Sequence, residues 1–343
     1  MMNETEIEMT TAQMTIPTTM RAVVAHRYGT PDVIEVEEVE VPRPGDGEVL
    51  IQVEASSLNA LDWHFLTGTP YLIRPTNGFR RPKRIIPGSD VSGTVIAVGA
   101  DVTKFQPGDA VFGQCKSGGC SPFLVTNADN LVTKPAAVSF EAAGAIPVAG
   151  LTAIQGLRTH GAVQPGDRVL INGAAGGVGT FAVQIARALG AHVTAVCSTG
   201  NVEMVVSLGV DEVIDYTKDD FVVGGARFDV MLDNVGNRPP KECLSVLNPG
   251  ARYVAVSGPK KNPWLGPVLH IARTALAFRK ASQSFHQFVA SSDHEDLTFL
   301  GELLATGQVV PEVQRVIGLD EVAEGLAEIG TGHTKAKIVV VPS

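Results

Sequence analysis

Cysteine is scarce in this 343-residue chain, with four residues, Cys115, Cys120, Cys197 and Cys243, of which only the first two lie close together. That excludes a disulfide framework and fits a reducing compartment. Long apolar runs are also missing, and no stretch approaches the length of a membrane-spanning helix. Residues 1–19 carry Glu4, Glu6 and Glu8 without an apolar core, which excludes a secretion signal and reads as a flexible tail. These absences predict a cytoplasmic protein. A net charge of -9 with no long basic run argues against nucleic acid as a partner. The chain is long enough for two domains with substantial cores.

What is present is most concentrated over residues 169–190, VLINGAAGGVGTFAVQIARALG. An apolar strand, a glycine-rich turn and an apolar helix follow one another, and a second strand is predicted over 192–197. This order is the setting in which a glycine pattern signals dinucleotide binding. Helix-opening N–H groups face the pyrophosphate, and residues without side chains let the backbone approach it. The candidates are Ala174, Gly176, Gly177, Val178 and Gly179. Gly176, Gly177 and Gly179 are expected to make the sharp turn, while Ala174 stands at the first glycine place and needs a negative φ.

From Met20 to about Lys134, short β-branched runs such as EVLIQVEAS and SGTVIAVG alternate with turn residues, which predicts an all-β module. Pro-Gly-Asp occurs at Pro44, Pro107 and Pro165, each time as the corner of a tight turn. From about Phe140 strands alternate with helices, with strands predicted at 169–172, 192–197, 212–215, 228–233 and 252–256. That pattern gives a parallel, doubly wound sheet. A helix near 297–305, a capped helix from Asp320 and a strand over 336–341 close the chain, and the last strand is expected to return to the β module. A ligand cleft between the two parts follows.

Several motifs carry a family resemblance: NALD at 59–62, IPGSDVSG at 86–93, PGDAVFG at 107–113, VAGLTA at 148–153, LGVDEVIDY at 208–216 and FDVMLDNVG at 228–236. With the glycine turn, they resemble the medium-chain dehydrogenase/reductase superfamily and, within it, the zinc-free quinone oxidoreductase-like branch. The resemblance implies an α/β protein with a GroES-like β-rich catalytic domain (20–140 and 306–343) and a Rossmann dinucleotide-binding domain (141–305). It also implies a homodimer. Where zinc enzymes of the superfamily hold their catalytic metal, this chain has Asn59, Ser89 and, approximately, Val148. These are not a zinc ligand set, and no metal is expected. His64 reads as a hydrogen-bonded structural residue.

Without a metal, alcohol oxidation loses its Lewis acid. Hydride addition to a quinone or an α,β-unsaturated carbonyl needs only hydrogen-bond donors for the delocalised anion that forms. The expected catalytic residues are Asn59 as donor, Tyr71 as a contributing hydroxyl, and Asp62 as the residue that orients the loop or the nicotinamide ribose. By resemblance Thr152, Asn234, Val235, Ser257 and Gly258 approach the nicotinamide half. The turn after the second strand, CSTGN at 197–201, has no carboxylate for the ribose 2′-hydroxyl of NAD. Nor does it hold an arginine or lysine for a 2′-phosphate. Binding would rest on Ser198, Thr199 and Tyr216, with NADPH the favoured cofactor and NADH the alternative.

Two further readings remain. An enoyl-thioester reductase would use Arg80, Arg81, Lys83 and Arg84 for a carrier's phosphate, and a cofactor-sensing protein would keep the fold without turnover. From Cys243 to Ser292 no acidic residue occurs, while Lys260, Lys261, Arg273, Arg279 and Lys280 surround Trp264, Leu265, Ile271 and Phe278. Residues 259–290 are read as a pair of helices packed over the cleft, with contact to a membrane surface the less favoured alternative.

Overall fold

The computed structural model describes residues 16–83, 85–258 and 266–342. The tail reading falls mostly outside these residues, as do Arg84 and the basic and apolar residues Lys260, Lys261, Trp264 and Leu265.

The β-rich part begins with an antiparallel pair, β1 (Thr19–Val24) and β2 (Glu35–Glu40). Next come β3 (Glu48–Leu58), helices α1 (Ala60–Thr67) and α2 (Arg74–Asn77), β4 (Asp90–Val98), β5 (Ala110–Gln114), β6 (Phe123–Asn127) and β7 (Leu131–Thr133). β3 pairs antiparallel with β4 and β6, and β5 with β4 and β7. In two Pro-Gly-Asp turns the glycine takes a left-handed φ, +100° at Gly108 and +88° at Gly166, and the aspartate N–H closes the turn. The third differs: after Pro44 the left-handed residue is Gly47, at φ +72°, and the closing bond runs from Glu48 N–H to Gly45.

Helices α3 (Phe140–Ala145) and α4 (Pro147–Ile154), the latter extended by a π-turn over Gln155–His160, lead into the second part. It runs β8 (Arg168–Asn172), α5 (Gly177–Ala188), β9 (His192–Cys197), α6 (Val202–Ser207), β10 (Glu212–Asp215), β11 (Phe228–Asp233), α7 (Pro240–Ser245), β12 (Leu247–Ala255), α8 (Gly266–Phe278), β13 (Ser284–Gln287) and α9 (His294–Ala305). The six strands form one parallel sheet in the order β10-β9-β8-β11-β12-β13. Its two-residue period sends Val169, Ile171, Val193, Val230 and Leu232 to one face and Leu170, Val196, Met231 and Tyr253 to the other. Both faces are covered, the first by Leu151, Phe181, Ile185 and Leu300, the second by Cys243, Val246 and Phe278. Runs apolar at every position, such as VLI in β8, follow from that double burial.

The chain returns through β14 (Val313–Ile317), α10 (Val322–Thr331) and β15 (Lys337–Val340). β15 pairs antiparallel with β3 and parallel with β14, so the C-terminal residues extend the first sheet. One expectation is corrected. In place of the expected pair of helices over 259–290, the described residues 266–290 hold α8 and then β13, the sixth strand of the parallel sheet. β13 was illegible because an edge strand of four residues, Ser-Phe-His-Gln, carries too little apolar alternation to read as a strand. Arg273, Arg279 and Lys280 are exposed, and among the described residues no helix is long and apolar enough to cross a membrane.

Candidate functional site

In a doubly wound sheet the ligand crevice lies beyond the carboxyl ends of the strands where the chain reverses its direction of winding. Here that point is between β8 and β11. β8 ends at Asn172, and the sharp turn after it is made by Gly173, at φ +80°, instead of by the later glycines. Gly176 is the N-cap of α5 at φ -81°, and no side chain caps the helix. Ala174 is buried and keeps out of the left-handed region. Gly179 is needed for a different reason: a Cβ there would stand 2.1 Å from the Gly173 carbonyl oxygen, so only glycine lets α5 approach the turn. Val178 lies between these glycines in the first turn of α5. An uncapped helix N-terminus behind a turn without side chains fits a pyrophosphate.

β11 ends at Asp233, which is fully buried. Its Oδ1 accepts from Asn172 Nδ2 at 2.9 Å and from the N–H groups of Val235 and Gly236 at 3.0 and 2.9 Å, and its Oδ2 accepts from the Tyr253 hydroxyl at 2.7 Å. Burial beside this carboxylate pushes the Tyr253 phenol far above its usual range. The carboxylate thereby fixes the loop that carries Asn234, whose Cβ is 3.4 Å from the Cβ position of Gly173. Both polar atoms of the Asn234 amide are buried and have no hydrogen-bond partner among the described residues. A buried amide with nothing to bond is costly unless a ligand completes it. Val235 is exposed beside it. The loop after β12 brings Ser257 and Gly258 alongside: a Cβ on Gly236 would be 2.9 Å from Gly258 Cα. His270 of α8, which sequence reasoning missed, packs next to Gly258, and its buried Nε2 has no partner among the described residues.

The other wall comes from the β-rich part. Asn59 opens α1, and its Nδ2 donates to Asp90 Oδ2 at 2.8 Å and to the Ser57 carbonyl at 3.2 Å, while its Oδ1 accepts from Lys337 Nζ at 2.6 Å. Lys337 Nζ is also 3.4 Å from Asp90 Oδ2, and both side chains are buried. Asp90 Oδ2 further accepts from the Ser57 hydroxyl, and its Oδ1 from the Val148 N–H at 2.7 Å. Thr152, one turn along α4, donates to the Val148 carbonyl at 2.7 Å. Sequence reasoning missed Lys337 and the role of Asp90; a buried lysine in a strand reading TKAKIVV was the available signal.

Asp62 sits three residues into α1. Its Oδ2 accepts from Asn59 N–H at 2.8 Å, and its Oδ1 from Gly88 N–H at 3.1 Å and the Ser89 hydroxyl at 2.9 Å. Burial pushes its carboxyl up to about 6. Asn59, Ser89 and Val148 thus come together around two carboxylates and an ammonium, but they offer an amide, a hydroxyl and an aliphatic chain. Among the described residues no three metal-ligating side chains form a group, and this donor set does not fit zinc. Tyr71 is half-buried, under the Arg74 guanidinium at 4.5 Å from its ring centroid. His64 Nδ1 bonds the Thr69 carbonyl at 2.6 Å.

At the opposite end of the crevice, Ser198, Thr199 and Tyr216 surround the turn after β9. Thr199 donates to Asp215 Oδ2 at 2.6 Å, and Ser198 accepts from Asn201 Nδ2 at 3.1 Å. The Thr199 and Thr217 hydroxyls and Lys218 hold the Asp215 carboxyl well below the usual range. Tyr216 is exposed at the rim.

Two family profiles match the chain: an alcohol dehydrogenase GroES-like domain over residues 45–132 and a zinc-binding dehydrogenase over residues 208–340. Similar curated proteins include the chloroplastic quinone-oxidoreductase QR1 of Triphysaria versicolor, 34% identical over 94% of this chain and 98% of that protein. Another is the 2-methylene-furan-3-one reductase of Solanum lycopersicum, 31% identical over 97% of this chain and 82% of that protein. Among solved structures, the quinone oxidoreductase from Coxiella burnetii superposes with a TM-score of 0.84 at 27% identity, covering 95% of this chain and all of that one, 100%.

Proposed function

The chain belongs to the medium-chain dehydrogenase/reductase superfamily, in its quinone oxidoreductase-like branch, and is an oxidoreductase of that type; from this premise we propose that it is a zinc-independent reductase of quinones or α,β-unsaturated carbonyls that uses NADPH. The observation that carries the reading is the buried Lys337–Asn59–Asp90 network. By resemblance, Asn59 and Ser89, the neighbour of Asp90, stand at positions where zinc enzymes of the superfamily hold their metal. A relative named as a quinone oxidoreductase and another named as a furanone reductase support the substrate class.

The unpartnered amide of Asn234, the Gly173 turn and the uncapped start of α5 would hold the dinucleotide. A reduced nicotinamide bound there supplies the hydride. The chain's own residues must do the rest. Negative charge reaching the substrate oxygen is favoured by a fixed cation in a water-poor site, and Lys337 is held in one place by Asn59 and Asp90. Asn59 has both N–H groups engaged within the protein, so it acts as a positioning residue for that ammonium instead of donating to substrate. Asp62 likewise positions: it ties the start of α1 to the 86–93 segment that carries Asp90. Tyr71, whose ring lies under Arg74, is kept as a candidate hydroxyl on the sequence reading alone, and water would supply the closing proton. On the cofactor, the turn at 198–201 holds no carboxylate to repel a 2′-phosphate, which favours NADPH.

The test follows NADPH absorbance with chelator-treated protein, an ortho-quinone and a simple enone in parallel, with NADH for comparison and a primary alcohol plus NADP as control. Turnover of either electrophile, unchanged by chelation and absent with the alcohol, is expected. Chelator-sensitive alcohol oxidation would sink the proposal.

A further inference from the structure

Between Asp62 and Asp90 the chain has no acidic residue, yet it carries Arg74, Arg80, Arg81, Lys83 and Arg84, four of them within the five positions 80–84. Folding turns part of this stretch into a closed loop. Lys83 N–H donates to the Asn77 carbonyl at 2.6 Å across its base, where Asn77 and Pro82 are buried. Gly78 takes φ +112°, and a Cβ on it would stand 2.2 Å from the Arg81 carbonyl oxygen, so only glycine lets the loop fold back on itself. The Tyr28 hydroxyl donates to the Gly78 carbonyl at 2.6 Å and pins the loop to the β-rich part. Phe79 is 73% exposed, and Arg80, Arg81 and Lys83 are exposed with it. Among the described residues none of these three cations has a carboxylate within ion-pair distance, whereas Arg158, Arg238, Arg252 and Arg315 each do.

We propose that the loop over residues 78–83 docks on an anionic lipid surface, with Arg80, Arg81 and Lys83 at the headgroups and the Phe79 ring in the interface. The inference does not depend on the substrate or cofactor reading above. A chain of net charge -9 is repelled as a whole by such a surface. Screening at physiological salt limits that repulsion to about 8 Å, so the charge of the docking loop decides the contact. Each clustered cation beside anionic lipid gains about fivefold in affinity. An acidic protein segment could pair with the same cations, but the exposed ring favours lipid, because an aromatic side chain leaves water for the acyl boundary at a gain. Leu72, 56% exposed, and Ile85, 37% exposed, flank the loop with further apolar surface. Pro82 and Ile85 also line a pocket together with Asp62 and Ser89 of the candidate site, so a docked loop sets that pocket at the lipid surface. Helix α8 is also basic and exposed, but Arg273, Arg279 and Lys280 are spread over the eight positions 273–280.

The test is sedimentation of the full chain with vesicles of phosphatidylcholine, alone or mixed with phosphatidylglycerol, at low and at high salt. Wild type should bind the mixed vesicles only, and salt should release it. A variant carrying Arg80→Gln, Arg81→Gln and Lys83→Gln should bind at least about tenfold more weakly. Phe79→Ser, which keeps every charge, should lose about tenfold through the ring's lost burial. A variant carrying Arg273→Gln, Arg279→Gln and Lys280→Gln should stay within about twofold of wild type. All the substituted side chains are exposed, so thermal unfolding of the four proteins should coincide. Wild type that ignores the mixed vesicles, loop variants that bind them undiminished, or a loss that follows the α8 substitutions instead, overturns the proposal. Full binding by Phe79→Ser alone would mean that any anionic surface serves, and capture of poly-glutamate in place of vesicles would assign the loop to an acidic protein; either result overturns the lipid assignment.

Discussion

Lys337 and Asn59 stand 278 positions apart in sequence and are joined by a 2.6 Å hydrogen bond, with Asp90 Oδ2 3.4 Å from the same ammonium. The bond links the final strand to the start of α1 and leaves a buried cation beside a buried anion. Such a pair contributes little net stability, but removing one member strands the other charge. Lys337→Met should therefore cost about 3–5 kcal/mol in denaturant unfolding. Adding Asp90→Asn should restore part of it. A double variant no more stable than the single one would show that the charge pairing is not the cause.

Asp62 gives a pH signature. Its folded-state value, raised to about 6 by burial, lies above its ordinary 3.8. Between those values the native state holds more protons than the unfolded state, so this group makes stability fall as pH rises from about 4 to about 6, then level off. The drop is about 3 kcal/mol at 1.36 kcal/mol per pH unit. The difference in unfolding free energy between wild type and Asp62→Asn, measured from pH 3 to 7, should carry that slope. A flat difference would mean that folding leaves the carboxyl at its ordinary value, and a difference that rises with pH would mean that it is lowered.

Two glycines of the turn should behave differently. Gly179→Ala sets a methyl 2.1 Å from the Gly173 carbonyl oxygen, so α5 must shift. Overpacking of this kind costs about 1–3 kcal/mol, and dinucleotide binding should weaken as the helix start moves. At Gly176 the nearest atom to an added Cβ is 3.7 Å away and φ is already negative. Gly176→Ala should cost no more than about 1 kcal/mol, the usual N-cap penalty. Melting curves and NADPH titrations of the two variants check the contrast.

Asn234 should separate stability from binding. Its amide is buried and unpaired, so Asn234→Ala removes an unsatisfied group and should leave stability unchanged or raise it by up to about 1 kcal/mol. Cofactor affinity should fall about tenfold, one lost hydrogen-bonded contact. A variant that is clearly destabilised and binds normally would assign the residue to the fold alone.

The parallel sheet was largely legible because its strands are buried on both faces. The spans 192–197 and 228–233 appear in the structure as read, since double burial demands short, continuously apolar runs, and the edge strand at 212–215 also appears as read although it is half-polar. The strand–turn–helix junction was legible for the same reason. Two other edge strands were not legible: β13 and β14 are half-polar, and little in their local sequence distinguishes such four- or five-residue strands from loops. The division of labour among the glycines was also hidden. Gly173 makes the turn because its φ is positive, and Gly179 is required by a carbonyl oxygen that folding alone brings near.

By itself, then, the sequence determined the β-rich and α/β parts, most strands of the parallel sheet and the glycine turn, all set by local pattern, and the family resemblance set Asn59, Ser89 and Val148 at the positions of zinc ligands. Tertiary structure decided what stands in that place. Antiparallel pairing of β15 with β3 carries Lys337 to Asn59 and Asp90 and leaves Lys335 beside Gly200. Hydrophobic periodicity records which face of a strand is buried, but not which distant strand it will meet. The partners of two lysines at the chain's end therefore existed only once the sheet had closed.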